Sequence, residues 1–160
     1  MKGSAALPTT ATTAQLWFFN ALVTVRVSCE EGSDGISVME TLAPRGDSPP
    51  LHVHRAEDEI FHVLEGEVRF RVADKELWVR AGETVLAPKG VPHTYLVESE
   101  RGRWLVVTAR GNHERFVRSL SRPAERSELP EPSPPTPDQR EALAAAGREH
   151  GLEIVGPPLR

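Results

Sequence analysis

The chain has 160 residues, of which 39% are apolar and 26% are charged. This length fits one domain with a sizeable core, and the composition excludes a wholly disordered chain, a collagen and a coiled coil. The net charge is −4 and no run of Lys or Arg occurs, so nucleic acid binding is not expected. The only cysteine, Cys29, has no partner for an internal disulfide, and the apolar stretches are too interrupted for a membrane span. We therefore expect a cytoplasmic protein without a membrane partner.

The pattern along the chain predicts an all-β domain. Residues 1–15 are small and polar, which is typical of a flexible arm. Over residues 16–120, short runs of β-branched, aromatic and aliphatic residues alternate with Gly, Pro and Asp clusters, as in a β-barrel or sandwich. The predicted strands are residues 17–28, 36–42, 51–54, 59–64, 67–73, 76–80, 84–87, 93–98 and 103–108. The segment HERFVRSL, residues 113–120, favours a short helix.

Residues 121–160 are predicted to form a proline-rich arm and a short C-terminal helix that pack on the barrel. Six prolines between residues 121 and 139 exclude a helix there and favour an extended chain. Thr136 and Gln139 have the spacing of a capping box, with a proline between them at the first helical position. The apolar tail EIVGPPLR is expected to lie back on the barrel.

Four of the six histidines lie between residues 52 and 93, within the strand-rich region. His52 and His54 are two residues apart, so their imidazoles leave the same face of an extended strand. Glu59 follows across a turn, and His93 begins the strand HTYLV. Three imidazole nitrogens and one carboxylate suit one divalent transition metal ion: Fe, Mn, Ni, Co, Cu or Zn. The sequence predicts this site without specifying the metal.

The other histidines and one carboxylate are assigned outside the site. His62 alternates with Glu59 on the same strand, so it points to the opposite face and is expected to be structural or exposed. Asp58 also faces away from Glu59 and is interpreted as a solvated carboxylate in a turn. His113 and His150 have no partners in the sequence, so both are expected to be ordinary surface residues.

Four apolar or aromatic side chains are candidates for the wall of a substrate pocket. Phe61 and Tyr95 share strand faces with two of the predicted ligands. Lining the pocket and packing in the core without ligand contact are both consistent with that position. Met39 and Trp104 are further candidates for the wall.

Two segments resemble the two motifs of the cupin family. The first motif, G-x5-H-x-H-x4-E-x6-G, is matched by Gly46, His52, His54, Glu59 and Gly66. The second, G-x5-P-x-G-x2-H-x3-N, is matched by Gly82, Pro88, Gly90 and His93. At its last position Val97 replaces the Asn of the family, which is not a metal ligand. The resemblance implies a single cupin β-barrel of jelly-roll type with a metal held by three histidines and one glutamate.

A wider resemblance, over residues 16–159, is to small single-domain cupins related to quercetinases, the flavonol 2,4-dioxygenases. It is carried by LWFFNALVTVRVS, DEIFHVLEGEV, RWLVVTARGNHERFVRSL and HGLEIVGPPL. It implies a dioxygenase that acts with O2 on a flavonol-like or other enolic aromatic small molecule. In such an enzyme the 3-hydroxyl oxygen binds the metal, Glu59 is the catalytic base that accepts its proton, and the ring opens with loss of carbon monoxide.

Two alternatives to this function remain. The chain is also consistent with another metal-dependent cupin enzyme, either a different dioxygenase or an isomerase, and with a non-catalytic protein that binds a small molecule. In every case a homodimer is expected, because exposed edge strands and the apolar segment 16–25 would be covered by a second subunit.

Overall fold

The computed structural model describes residues 13–160, so most of the predicted arm, residues 1–15, lies outside the described residues. The helices are α1 (Asn112–Leu120) and α2 (Pro137–Glu149). The strands are β1 (Gln15–Phe18), β2 (Ala21–Val27), β3 (Ser37–Pro44), β4 (Pro50–His54), β5 (Glu59–Glu65), β6 (Glu67–Val72), β7 (Lys75–Arg80), β8 (Thr84–Ala87), β9 (His93–Val97), β10 (Arg101–Thr108), β11 (Arg122–Pro123) and β12 (Leu152–Pro158). No helix within residues 13–160 is long and apolar enough to cross a membrane.

The strands form two antiparallel sheets that enclose one interior. Sheet A has the order β11-β1-β2-β3-β10-β5-β8, and sheet B has the order β12-β4-β9-β6-β7. Strand β3 shows why the sequence folds this way, because its residues alternate between buried and half-buried from Ser37 to Pro44. Inward side chains of both sheets form an apolar core cluster that includes Phe70, Val63 and Trp104. Burial of each such side chain contributes ~1.5–3 kcal/mol. The prediction of an all-β barrel with a short C-terminal helix is confirmed.

The predicted strand 17–28 is wrong in one respect, because the structure divides it into the hairpin β1–β2. Phe18 pairs with Ala21, so the turn consists of Phe19 and Asn20 alone. Phe19 adopts a left-handed conformation with φ 52°, as two-residue hairpin turns require. The Asn20 side chain then bonds the backbone of Ser133, with its amide donating to the carbonyl and its oxygen accepting from the N–H. The asparagine that interrupts the apolar run was the signal for this turn.

The C-terminal segment folds back on the barrel. Strand β12 pairs antiparallel with β4, so the apolar tail lies against a barrel strand. Helix α2 begins with the predicted capping box of Thr136 and Gln139. The proline-rich arm crosses the outer side of β1, where the Trp17 indole N–H donates to the Glu128 carbonyl at 2.8 Å. The Arg122 guanidinium lies 4.4 Å from the Trp17 ring.

Candidate metal centre

The four predicted ligands come from three strands and from both sheets. His52 and His54 lie on β4, and His93 lies opposite His52 on the neighbouring strand β9. Glu59 begins β5 in the other sheet and is fully buried. One ligand atom from each of these residues lies within 4.8 Å of the others. The structure therefore brings together the whole set that the spacing predicted.

The three imidazoles are held through the same ring atom. Each Nδ1 is hydrogen-bonded to an oxygen: His52 to the Pro50 carbonyl at 2.7 Å, His54 to the Glu57 carboxylate at 3.1 Å and His93 to the Val91 carbonyl at 3.0 Å. Because carbonyl and carboxylate oxygens accept, these bonds place the ring proton on Nδ1. In the neutral form of each ring, the lone pair of Nε2 is thereby left for a metal ion.

Two of the Nε2 atoms, those of His93 and His54, lie close to one oxygen of Glu59. Glu59 Oε2 lies 2.8 Å from His93 Nε2 and 3.1 Å from His54 Nε2. The His54 Nε2 atom is buried and has no hydrogen-bond partner among the described residues. A buried polar atom without a partner costs ~1–3 kcal/mol. A metal ion at this point would satisfy it, so the donor set fits a transition metal.

Burial and mutual charge set the protonation of the cluster. Burial alone would raise the pKa of Glu59, but the imidazoles of His54 and His113 outweigh it and hold that pKa well below its usual range. Burial would lower the pKa of His54, but the carboxylates of Glu59 and Glu57 raise it to about 10. Burial, assisted by the neighbouring imidazoles, lowers the pKa of His52 to about 3. Glu59 is therefore an ionised acceptor in a buried site.

Residues 38–108 match the family model described as the cupin domain. This chain carries a cupin domain. It is 28% identical over 113 residues to quercetin 2,3-dioxygenase of Bacillus subtilis (strain 168), a match covering 71% of this chain. The match spans only 34% of the length of that relative.

Solved structures confirm the fold of the cupin. The polyketide cyclase RemF from Streptomyces resistomycificus superposes with a TM-score of 0.56 at 20% identity, covering 64% of this chain and 80% of that one. An RmlC-like cupin from Shewanella frigidimarina NCIMB 400 gives a TM-score of 0.55 at 17% identity, covering 65% and 89%. At these identities the two structures establish the jelly-roll fold alone.

Two glycines of the cupin motifs adopt left-handed backbone conformations. Gly90 has φ +79° just before β9, and its amide donates to the His54 carbonyl at 2.8 Å. Gly66 has φ +84°, and a Cβ there would collide with the Arg101 carbonyl. Both conformations are strained for a residue with a side chain.

Sequence reasoning missed two polar side chains behind His54, which belong to Glu57 and Asn112. Glu57 is buried, and while one oxygen accepts from His54, the other accepts from the Asn112 amide at 3.2 Å. A carboxylate three residues after a histidine ligand was the available signal, since ligating imidazoles commonly donate their second N–H to such a group. The Asn112 contact had no signal in the spacing, because α1 is brought here only by the fold.

The prediction that His113 is a surface residue is wrong. Its side chain is only 14% exposed, and its Nε2 lies 3.3 Å from Glu59 Oε1. Its ring also packs edge-on against His54, with centroids 5.2 Å apart. The cause is the topology: β10 pairs with β5 until Thr108 lies opposite Glu59, so the chain leaves the sheet beside the cluster.

The other three residues assigned outside the cluster lie away from it in the structure. His62 is on the outer face of β5, where its Nδ1 bonds the Thr84 hydroxyl at 2.8 Å. Asp58 stays in the turn and accepts from the Lys89 amide at 2.8 Å. His150 is half-buried at the C-terminal end of α2.

The four candidates for the pocket wall differ in depth. The Phe61 ring is buried with its centroid 6.2 Å from that of His93. Tyr95 is only partly buried; its hydroxyl donates to Asp47 at 3.2 Å, and its ring centroid lies 4.9 Å from that of Trp104. Met39 belongs to a separate apolar cluster with residues of α1 and α2. Contact with a substrate stays a prediction for all four.

Two apolar side chains outside the predicted set share a face with the ligands. In the antiparallel ladders Ile154 of β12 lies opposite His52, and Val72 of β6 lies opposite His93. Directly opposed residues project from the same face of a sheet. Ile154 remains 36% exposed. The C-terminal strand therefore adds an apolar, accessible edge beside the cluster.

Proposed function

We propose that this cupin is a mononuclear-metal dioxygenase that acts on a flavonol-like or other enolic aromatic small molecule. The observation that carries the proposal is the convergence of one nitrogen from each of three imidazoles and one Glu59 oxygen, with His54 Nε2 left without a hydrogen-bond partner among the described residues. The likeness to quercetin 2,3-dioxygenase of Bacillus subtilis supports the choice of reaction.

The chain would hold one divalent transition metal ion through His52, His54, Glu59 and His93. When bound, such an ion would supply the positive charge that lowers the pKa of a nearby enol hydroxyl. Glu59 is ionised, so its carboxylate can accept the proton of that hydroxyl. The Nδ1 bonds keep the imidazoles fixed while this proton moves.

The surroundings of the cluster suit a flat aromatic substrate. Phe61 lies beside His93 on the inside, and Val72 and Ile154 flank the ligands. Apolar walls with a few polar groups at one end are typical of small-molecule sites. The aromatic body would pack on these side chains, with its enol directed at Glu59.

The test combines metal analysis with oxygen consumption. Protein purified without tag or chelator should contain close to one transition metal ion per chain, and quercetin should start O2 uptake at an oxygen electrode. Glu59→Gln should abolish the uptake, whereas the control His62→Asn, on the outer face, should preserve it. A full metal load without O2 uptake on quercetin or related enols would contradict the dioxygenase assignment.

We also propose a homodimer, through a different surface from the one the sequence suggested. The apolar segment 16–25 is largely buried within its own chain, so it does not need a second subunit. Instead, a row of aliphatic side chains crosses the outer face of sheet A in register: Val27, Val38, Val107, Ile60 and Leu86. A two-fold axis would place this row against its own copy.

Light scattering after size-exclusion chromatography tests the dimer. The wild type should have twice the chain mass at micromolar concentration. Leu86, which is 52% exposed, lies at the edge of the row, and Leu86→Glu should give a monomer because it would bury a charge. The matched control is Leu77→Glu, on sheet B, which should remain dimeric. A monomeric wild type would contradict the proposal.

A further inference from the structure

The first turn of α1 places two polar side chains against the carboxylates of the metal centre. The Asn112 amide donates to Glu57, and His113 Nε2 lies 3.3 Å from Glu59 Oε1. Neither Asn112 nor His113 belongs to the group whose ligand atoms converge. Helix α1, which follows the barrel strands, therefore contacts Glu59 and the neighbouring Glu57 without belonging to the ligand group.

We propose that His113 is a positioning residue for Glu59. Its Nε2–H donates to Oε1, so that the carboxylate presents Oε2 alone to the imidazoles of His93 and His54. The inference rests on the metal site of the proposed function, and it is independent of the substrate.

The two oxygens of Glu59 have different neighbours. Oε2 faces His93 and His54 at 2.8 and 3.1 Å, whereas Oε1 faces His113. Glu59 is completely enclosed, so water does not compete strongly for either oxygen. A donor on one oxygen and the ligand cluster on the other fix the rotation of the carboxylate.

The His113 ring is itself held in place. It stacks on the buried Phe116 ring with centroids 6.2 Å apart at 27°, and it contacts His54 edge-on. Its Nδ1 is buried and has no partner in the described part of the chain. A proton on Nδ1 would be a stranded donor, whereas a proton on Nε2 faces a carboxylate. The tautomer that donates to Glu59 is therefore favoured.

The rotation of the Glu59 carboxylate decides how many coordination positions of a metal ion the protein occupies. A carboxylate held by one oxygen contributes one ligand atom, and a freely rotating one can contribute two. Removal of the His113 donor would release Oε1 to become a second ligand atom. His113 thereby preserves an open position for a substrate.

Co2+ is the probe, because its visible absorption reports coordination number. The full chain is stripped of metal, reloaded with Co2+ and compared with three variants. His113→Phe keeps an aromatic ring and removes the donor, His113→Gln keeps an amide donor, and His62→Phe is a control on the outer face. Affinity is measured by competition with a chelator, and the melting temperature of each metal-free protein is recorded.

The expected result is one Co2+ per chain in all four proteins. His113→Phe should weaken binding ~10–100-fold, as loss of an outer-shell partner does. It should also lower the visible absorption intensity, because higher coordination numbers give weaker bands. His113→Gln should recover most of the Co2+ affinity and most of the absorption intensity. His62→Phe should match the wild type in both. His113→Leu replaces the phenylalanine variant if its metal-free melting temperature shows that it does not fold.

Three results would overturn the inference. An unchanged affinity and spectrum in His113→Phe would make His113 a packing residue. Complete loss of Co2+ from that variant would make it a ligand. A wild type that binds no Co2+ would remove the metal site and the proposed function together. In contrast, the expected spectra without O2 uptake on quercetin would contradict the dioxygenase alone and support the positioning role.

Discussion

The barrel segment, residues 38–108, and the C-terminal segment, residues 109–160, contribute to the metal centre in different ways. The barrel segment supplies every atom of the converging ligand group. The C-terminal segment supplies none of these atoms, yet Asn112, His113 and Ile154 lie against the ligands or beside them. The ligands are thus set by short motifs on individual strands. The residues that surround the ligands depend on where the C-terminal segment packs against the barrel.

The largest expected effect comes from the barrel segment. His93→Ala removes one of four metal ligands and should weaken metal binding by more than the ~10–100-fold typical of outer-shell changes. Elemental analysis after dialysis should find the variant almost free of metal. His150→Ala, a histidine of the C-terminal segment outside the ligand group, is the control. Equal metal content in the two variants would contradict the claim that the barrel segment supplies the metal ligands.

The sequence predicts the ligands of the barrel segment but not the contacts that the C-terminal segment makes with them. The alternation of strand residues places His52 and His54 on one face, and the cupin motif adds Glu59 and His93. No spacing rule relates His113 to Glu59, because their contact depends on β10 ending beside the start of β5. The hairpin at Asn20 was readable in principle, since turn residues interrupt strands for a known physical reason.

A second prediction concerns the barrel interior away from the ligands. Burial raises the pKa of Asp47 to about 6, although the Tyr95 hydroxyl bond opposes the shift. The folded state binds this proton more tightly than the unfolded state. Its contribution to stability is therefore fully present below about pH 4 and lost as the pH rises through 6. The loss is up to about 3 kcal/mol for two pKa units.

Asp47→Asn isolates this effect. Between pH 4 and pH 7 the wild type should lose more free energy of unfolding than the variant, as measured by urea unfolding at the two pH values. The difference is expected to be independent of metal, because Asp47 bonds Tyr95 rather than a ligand. The same pH dependence in both proteins would show that Asp47 does not titrate in this range.

A smaller effect is expected from the C-terminal segment. Asn112→Ala removes one partner of Glu57, which in turn orients His54. Metal affinity should fall about 10-fold, at the lower end for outer-shell changes, while the stoichiometry stays the same. Chelator competition measures it, with Asn20→Ala as the same substitution in the hairpin turn. Equal metal affinity in the two variants would show that Glu57 orients His54 without help from Asn112.

The smallest effect should appear in substrate binding. Ile154→Trp enlarges the side chain opposite His52 and narrows the approach to the cluster. KM for quercetin should rise a few-fold with kcat unchanged, the pattern of lost uniform binding. Leu77→Trp, on β7 at the other edge of sheet B, is the control and should leave KM as in the wild type. An effect of Leu77→Trp alone would contradict the placement of the substrate.

The central claim is that the four residues of the barrel segment hold one metal ion. Anomalous diffraction from crystals of the metal-loaded protein, recorded at the absorption edge of that metal, tests it most directly. The account predicts one peak per chain, ~2.0–2.2 Å from the Nε2 atoms of His52, His54 and His93 and from one oxygen of Glu59. A peak elsewhere, or none in protein that carries metal by elemental analysis, would contradict it.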